Sequence, residues 1–379
     1  MLSATDFGCI PYDPNNTPSS PTPCTQQMQA FLNAVRGGEG YLPPGVYYVD
    51  EELYYGYDCS PGVDAGAQPD RNSLGGRLCG AGMANTIIRW AGADNDGSAI
   101  LRVSNPRCHI SGIQLFARAK VAGNAPQAST GIVFQDAERA TLDQVWVRAT
   151  ADGSLTDLTD GRAGFLWDTT WHGATGPASN EAMRLTCCEA GGCWKGYFVA
   201  RNGLADSTTF RVCVALGNGF HGFHLFGTGL AMYSCKTEGN GGHGVRIGIG
   251  GPGVPRSSGC SIYGVHVEGN IANATLAMPA GEKLYGVYFD NADGNLIVGG
   301  TGHFLDGDFI GTSDGLHNVV LYGDVGARVL VPGQADASSR TKAGREFRFR
   351  PEDRKIIWVD LEGSATNEVL DFADLPCGL

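Results

Sequence analysis

The chain has 379 residues, 42% hydrophobic and 17% charged, so it can form a substantial buried core and is not expected to be disordered. Glycine is the outlier, because 57 glycines are about twice the usual share. The net charge of -12 argues against non-specific binding to nucleic acid or anionic membranes, and no run approaches the ~18 apolar residues of a membrane span.

The first predicted element is an α-helix over residues 25–36. Apolar residues recur in it at the i, i+3, i+4, i+7 spacing of a helix with one buried face: Met28, Phe31, Leu32 and Val35. Thr25 is placed to cap its start and Gly37 to end it. We expect the helix to cover the first coil of the sheet structure that follows, because an uncovered sheet end invites pairing with other chains. The preceding "MLSATDFGCI" lacks the basic and apolar regions of a signal peptide. We therefore expect that the chain is not secreted by a signal peptide, or that such a signal has been removed.

The cysteines do not predict a disulfide scaffold, since 12 are spread over a long chain. Cys9 with Cys24, and Cys59 with Cys79, flank loops rich in proline or glycine, and each pair could be bridged or free. The cluster "CCEAGGC" at 187–193 could bind zinc, but no second half of such a site accompanies it.

A glycine followed by a short apolar alternation recurs along the middle of the chain. The copies are GIVF at 131, GFLW at 164, GYFV at 196, GFHL at 222, GVRI at 244 and GVYF at 286. The first and third residues after each glycine are apolar, which predicts a strand with one fixed buried face. A second strand precedes each glycine from "TLDQVWV" at 141 onward. Repeats of this length indicate a solenoid, here a β-helix with about 22 residues in its shortest coils.

A Gly-Asn-Gly turn is shared by "ALGNGFHGFHL" at 215–225 and "TEGNGGHGVRI" at 237–247. Glycine and asparagine adopt positive φ most readily, so we expect this turn at a corner of each coil, with Asn218 and Asn240 stacked as a ladder. The glycine that opens each repeated copy is called its marker glycine. Counting back from the marker glycines also predicts one buried column of free thiols: Cys187, Cys213 and Cys235.

The expected organisation is an N-terminal cap over 1–50, the β-helix over 51–330 and C-terminal strands over 331–379. Insertions at 249–259 and 270–284 lengthen individual coils, and such insertions on a rigid solenoid often carry function. Near the C-terminus, "REFRFRPEDRKIIWVDLEG" alternates charged and apolar residues, which predicts strands that could pair with a partner chain and promote oligomerisation.

The N-terminal block resembles the opening of the pectate-lyase-like family of right-handed parallel β-helices. The resemblance rests on "TDFGC" at 5–9, then the helix, then "GGEGYLPPGVYYVDEEL" at 37–53. The matching positions are Asp6, Phe7, Gly8, Gly37, Gly38, Leu42, Pro43, Pro44, Gly45 and Tyr47. It is specific over about 50 residues and diffuse over the coils to about residue 330. The segment "CIPYDPNNTPSSPTPCT" departs from the short acidic segment usual in the family.

The resemblance implies an all-β fold: a right-handed single-stranded parallel β-helix (solenoid) with an N-terminal capping α-helix. Similar proteins include secreted polysaccharide lyases, glycoside hydrolases and epimerases, and the tailspike depolymerases of bacteriophages. We therefore expect a virion protein, with an extracellular location as the alternative. The expected partners are a polysaccharide, further copies of the chain in a homotrimer, and other virion proteins.

Two carboxylates are predicted at one position of consecutive coils, Glu238 in "KTEGN" and Glu268 in "HVEGN". The same register places Lys236 over His266 on the outer face. Adjacent strands lie ~4.8 Å apart, which suits the ~5–5.5 Å between the carboxyl groups of a retaining glycosidase. Mutual repulsion would raise one carboxyl pKa toward the range of a general acid. The alternative interpretation is a surface glutamate ladder neutralised by Lys236.

A second outward strip is predicted on the other strands of the coils: Phe198, His224, Arg246 and Tyr288. Aromatic rings can stack on sugars and arginine can pair with a uronate, although a mixed solvent-facing surface would have the same pattern. The segment "DNADGN" at 290–295 could hold Ca²⁺; otherwise no cofactor is expected.

Glycoside hydrolysis through Glu238 and Glu268 is the leading functional hypothesis. The second is β-elimination, with Arg246 or Lys236 beside a uronate and His266 or His243 as the base. The third is a virion component that binds a receptor or decorates the particle without catalysis.

Overall fold

The computed structural model describes residues 1–12, 22–57, 73–92, 99–117, 130–149, 163–168, 179–200, 203, 205–249, 254–270 and 284–302 with their side chains. It describes the backbone of residue 303 and of the strands Ile310–Thr312, Val319–Leu321, Val329–Val331, Arg345–Arg350, Lys355–Asp360 and Thr366–Asp371.

Parallel strands stack coil upon coil in two long sheets. The larger sheet contains eighteen described strands: Leu2–Ser3, Glu39–Leu42, Gly45–Val49, Arg77–Gly80, Thr86–Trp90, His109–Phe116, Thr141–Arg148, Arg184–Thr186, Glu189–Gly191, Thr209–Arg211, Val214–Leu216, Ala231–Tyr233, Lys236–Glu238, Ser261–Tyr263, His266–Glu268, Leu296–Val298, Thr301–His303 and Val319–Leu321. The smaller contains nine: Leu53–Gly56, Ala99–Ser104, Thr130–Phe134, Ala163–Trp167, Lys195–Val199, Phe223–Leu225, Val245–Ile247, Val287–Phe289 and Ile310–Thr312. A two-stranded pair, Ser257–Ser258 with Ala292–Asp293, accompanies them. The predicted all-β parallel solenoid is confirmed.

The predicted alternation places aromatic rings inside the coils. Phe165, Tyr197 and Phe223 are fully buried and stack face to face, with ring centroids 4.7 and 4.4 Å apart. Close packing between successive coils explains why glycine occupies the marker positions. A Cβ on Gly222 would lie 2.8 Å from the carbonyl oxygen of Gly244 in the next coil. These positions therefore need glycine because successive coils approach closely there.

The asparagine ladder is confirmed and extends one coil further than predicted. The Nδ2 of Asn218 donates to Oδ1 of Asn240 at 2.8 Å, and the Nδ2 of Asn240 donates to Oδ1 of Asn270 at 3.0 Å. Positive φ is adopted by the preceding glycines, 59° at Gly217 and 64° at Gly239. The asparagines satisfy buried backbone groups at the corner instead.

The buried thiol column is confirmed except at its first member. Cys188, Cys213 and Cys235 share the column and are buried, with Val265 next. The prediction of Cys187 was wrong by one residue, because the turn before Gly196 is one residue shorter than those before Gly222 and Gly244. Cys187 instead occupies the left-handed corner at φ 51°.

The ten described cysteines are free thiols. Cys9 and Cys24 are both buried, and a hydrogen bond between the two side chains raises the pKa of Cys9 and lowers that of Cys24. Of the other predicted pair, Cys79 is free and Cys59 lies outside the described residues.

The predicted helix spans Thr25–Val35 and buries the expected face: Met28, Phe31, Leu32 and Val35. It packs on the first coil, where a Cβ on Gly40 would lie 2.8 Å from both Phe31 and Val35. The expected cap was wrong. Cys24 precedes the helix without a side-chain cap, and Thr25 bonds to Asp50 instead. A 3-10 turn, Ala4–Phe7, lies beside the helix, with Phe7 against Phe31.

The C-terminal segment forms strands, as predicted. Val329–Val331, Arg345–Arg350, Lys355–Asp360 and Thr366–Asp371 pair antiparallel in that order. Their pairing with a partner chain stays a prediction. Within the described ranges, no helix has the length and apolarity needed to cross a membrane.

Candidate functional site

The two predicted carboxylates lie side by side on the outer face of the larger sheet. Strands Lys236–Glu238 and His266–Glu268 pair so that Lys236 faces His266 and Glu238 faces Glu268. Between them, Thr237 and Val267 point inward and are fully buried, which fixes the outward direction of their neighbours. The four outward residues, Lys236, Glu238, His266 and Glu268, are called the carboxylate face.

The side chains of the carboxylate face contact one another while staying 34–40% exposed. Lys236 Nζ lies 2.6 Å from Oε2 of Glu238 but 3.8 Å from Oε2 of Glu268. The hydrogen bond to Glu238 raises the pKa of Lys236. His266 Nε2 lies 3.1 Å from Oε2 of Glu268, and its Nδ1 lies 2.6 Å from the hydroxyl of Thr301. The two glutamates therefore share Lys236 unequally: Glu238 is its hydrogen-bond partner, whereas Glu268 lies further from it and contacts the imidazole of His266.

The second predicted strip is in register, but it is not exposed to solvent. Phe198 pairs with His224, His224 with Arg246 and Arg246 with Tyr288 across successive strands of the smaller sheet. Phe198, His224 and Tyr288 are only 3%, 6% and 8% exposed, respectively. The expected open aromatic surface is therefore wrong, because these rings pack against neighbouring side chains, Phe198 against His224 and Tyr288 against His243 and Tyr285.

Polar side chains surround this strip and form a buried network. Arg246 pairs with Asp290 through its Nη2, and its Nη1 lies 3.2 Å from His221 Nε2. The His221 ring stacks on that of His243, with the ring centroids 5.0 Å apart. The backbone N–H of His243 donates to Nδ1 of His221 at 3.0 Å. We call His221, His224, His243, Arg246 and Asp290 the histidine cluster.

Burial keeps two imidazoles of the histidine cluster neutral. Desolvation is the largest cause that lowers the pKa of His221 and His224 well below the usual value, and Lys195 and Arg246 add to it. Nδ1 of His221 accepts the backbone N–H of His243, so protonating this nitrogen to form an imidazolium would break that hydrogen bond.

Sequence reasoning matched His221 to His243 as a repeat but gave His221 no role, and it overlooked Lys195. The ammonium of Lys195 lies 3.6 Å from the centroid of Phe198 and is almost fully buried. The repeated "GNGxHG" was the available signal. Asp290, part of the segment considered for Ca²⁺, is bound to Arg246. The described residues contain no group of three or more His, Cys, Asp or Glu placed to hold a metal ion.

No protein family model matches the sequence, and no curated protein matches it. Solved structures do share its fold. The pre-mature gene product 12 of bacteriophage phi29 aligns with a TM-score of 0.54 at 15% identity, over 79% of this chain and 41% of that chain. This similarity supports the β-helical architecture seen in the strand pairings.

Two further structures are more distant. The enzymatically active domain of tailspike protein 2 from bacteriophage CBA120 has a TM-score of 0.48 and 12% identity, over 84% of this chain and 46% of that one. The catalytic unit of a GH87 α-1,3-glucanase from Streptomyces thermodiastaticus has a TM-score of 0.41 and 13% identity, over 86% of this chain and 71% of that one.

Proposed function

We propose that this protein binds a polysaccharide on the outer face of the larger sheet and hydrolyses it at the carboxylate face. The observation that carries the proposal is the pairing of Glu238 with Glu268 in adjacent strands, one beside a lysine and one beside a histidine. A spacing of one strand, ~4.8 Å, suits a retaining mechanism, whose carboxyl groups are ~5–5.5 Å apart.

The unequal partners of the two glutamates support separate roles. The ammonium of Lys236 lies 2.6 Å from Oε2 of Glu238, and we assign this carboxylate as the nucleophile. Glu268 is beyond hydrogen-bond distance of Lys236 and contacts His266 instead. A proton shared between His266 and Glu268 could be donated to the leaving oxygen and recovered from water in the second step.

Hydrolysis is favoured over elimination by the charges around the site. Elimination from a uronate needs a cation free to neutralise the sugar carboxylate. Lys236 is already bonded to Glu238, and Arg246 is bonded to Asp290 in the buried histidine cluster. Two exposed glutamates would also repel a uronate. No cofactor is needed for the proposed reaction.

The fold shared with a bacteriophage gene product supports a virion location for this protein. We propose a homotrimer with other virion proteins as neighbours. Light scattering coupled to size exclusion would measure the oligomeric state directly, and a monomer at micromolar concentration would contradict the trimer.

The test is incubation of the purified chain with capsular and extracellular polysaccharides. Hydrolysis yields new reducing ends without ultraviolet absorbance, whereas elimination yields reducing ends together with the absorbance of an unsaturated uronate. Binding without new reducing ends would contradict catalysis and identify a non-catalytic receptor-binding protein.

A further inference from the structure

A gap interrupts the row of outward side chains that leads to Glu238. In register, the row runs from Phe116 through Arg148, Gly191 and Leu216 to Glu238. Gly191 contributes no side chain, and a cleft of about 440 Å³ opens at this point. The cleft is lined by Phe116, Arg148, Ala149, Glu189, Gly191, Gly192, Leu216 and Gly217.

Neither the backbone nor the packing requires glycine at residue 191. Its φ is not among the positive values, and an added Cβ would meet its nearest atoms, in Leu216 and Glu189, at 3.6 and 3.7 Å, which is ordinary contact. This differs from Gly222, where the next coil excludes a side chain. The missing side chain at Gly191 therefore has one structural consequence, which is the open cleft.

The polar groups of the cleft are fixed in place. Arg148 Nη2 lies 3.2 Å from Oε1 of Glu189, and the guanidinium lies over the ring of Trp146 at 4.4 Å from its centroid. The side chain of Arg148 stays 43% exposed, whereas that of Glu189 is 15% exposed. A guanidinium has five N–H donors, so donors remain beside the Glu189 acceptor for a ligand. The Phe116 ring and Leu216 provide apolar contact on the cleft walls.

We propose that this cleft binds a neutral hexose unit of the polysaccharide, and this proposal rests on the proposed function. A hexose presents an apolar ring face, which suits Phe116 and Leu216, and adjacent hydroxyls, which suit the donor and acceptor of Arg148 and Glu189. The Arg148–Glu189 pair has no net charge, so the pair itself does not select an acidic sugar. Arg89 lies 4.8 Å from the centroid of the Phe116 ring, and the acidic probes of the test measure whether this cation attracts a uronate instead. Gly191 lies two strand spacings, about 10 Å, from Glu238. The glycan would therefore run along the helix axis between the cleft and the carboxylate face.

The test measures binding separately from cleavage. The Glu268→Gln chain is titrated with glucan, mannan and galactan oligosaccharides and, as acidic probes, with alginate and polygalacturonate oligosaccharides. Calorimetry gives Kd, and tryptophan fluorescence reports on Trp146, with Trp146→Phe identifying that signal. Gly191→Leu fills the cleft. Gly38→Leu is the matched control, because Gly38 is exposed, has no positive φ, and its added Cβ would have no atom within 4 Å.

The expected result is binding of at least one neutral glycan, weakened at least ~10-fold by Gly191→Leu and unchanged by Gly38→Leu. Arg148→Met, which keeps an apolar stem on Trp146, should weaken binding as well, and this covers the case in which Gly191→Leu does not fold. Equal affinity in the cleft variants, binding of acidic glycans alone, or binding of none would overturn the proposal. Cleavage is scored independently. A chain that binds through the cleft without cleaving contradicts hydrolysis only, and a chain that cleaves normally with a filled cleft contradicts the cleft only.

Discussion

The carboxylate face and the histidine cluster are outer surfaces of the same coils, and they differ in exposure. Both arise because residues repeat in register, Glu238 over Glu268 on one sheet and His224 over Arg246 on the other. The carboxylate face remains about one-third exposed, whereas His221 and His224 are buried. Residues that repeat in register therefore form an accessible surface at the carboxylate face and a buried network at the histidine cluster.

The largest expected effect concerns catalysis at the carboxylate face. Glu238→Gln and Glu268→Gln should each lower turnover of the identified polysaccharide by at least ~10²–10⁴-fold, because each removes a nucleophile or a proton donor. The melting temperature should barely change, since both side chains are exposed and glutamine keeps their size. Glu181→Gln, at an exposed glutamate elsewhere, is the control. Near-normal rates in both variants would show that the face is a structural ladder.

The next effect concerns the stability contributed by the histidine cluster. Arg246→Met should lower the free energy of unfolding by about 3–5 kcal/mol, because it leaves the carboxylate of Asp290 buried without its cation. Chemical denaturation measures this loss. A change no larger than that of an exposed ion pair would mean that the cluster is solvated in solution and that the two surfaces do not differ as described.

A smaller effect is expected from acid. The pKa values of His221 and His224 are lowered in the folded protein, so below pH ~6.5 the unfolded chain binds protons that the folded one does not. The contribution to stability is fully present above that pH and is lost as pH falls, at about 1.4 kcal/mol per pH unit for each imidazole. Lys195 and Arg246 are the cations that add to the lowering of both pKa values, and Asp290 is paired with Arg246.

Denaturation of the wild type and His224→Gln between pH 7 and pH ~5 measures this dependence. Glutamine can still donate a hydrogen bond to the carbonyl of Gly248, which His224 contacts at 3.2 Å. Removing one of the two imidazoles should make the slope shallower. An identical slope in both proteins would contradict the assignment of His224 as a buried neutral group.

The smallest effect is expected for Lys236→Met. The ion pair with Glu238 is exposed, so its loss should change the free energy of unfolding by about 0–1 kcal/mol. Turnover should nevertheless fall, because the proposed nucleophile Glu238 would lose the ammonium that contacts and orients its carboxylate. A stability loss as large as that of Arg246→Met would show that the carboxylate face is structural.

Much of the fold could be predicted from local pattern. The marker glycines and the apolar alternation identified the coils, because each recurs for a steric reason, and the Gly-Asn-Gly turn shared by two successive coils gave the shortest repeat. The error at Cys187 shows where this reasoning fails. A turn shortened by one residue shifts the register by one residue, and no local signal records that shortening.

The candidate site was predicted in part. The pairing of Glu238 with Glu268 followed from counting along two coils whose strands have the same length. The cleft at Gly191 did not follow, because a glycine that leaves space and a glycine that avoids a clash look alike in sequence. Only the distances to neighbouring coils separate Gly191 from Gly222.

The sequence by itself determined which residues share a column wherever successive coils keep the same turn length, because strand alternation and the coil repeat depend on neighbours along the chain. Only the tertiary structure decided which columns are exposed, since burial depends on the side chains that successive coils bring against a column, such as His243 against Tyr288. Thus Phe198 and Tyr288 alternate as surface residues would, yet they are buried, while Lys236 and Glu238 follow the same rule and remain accessible.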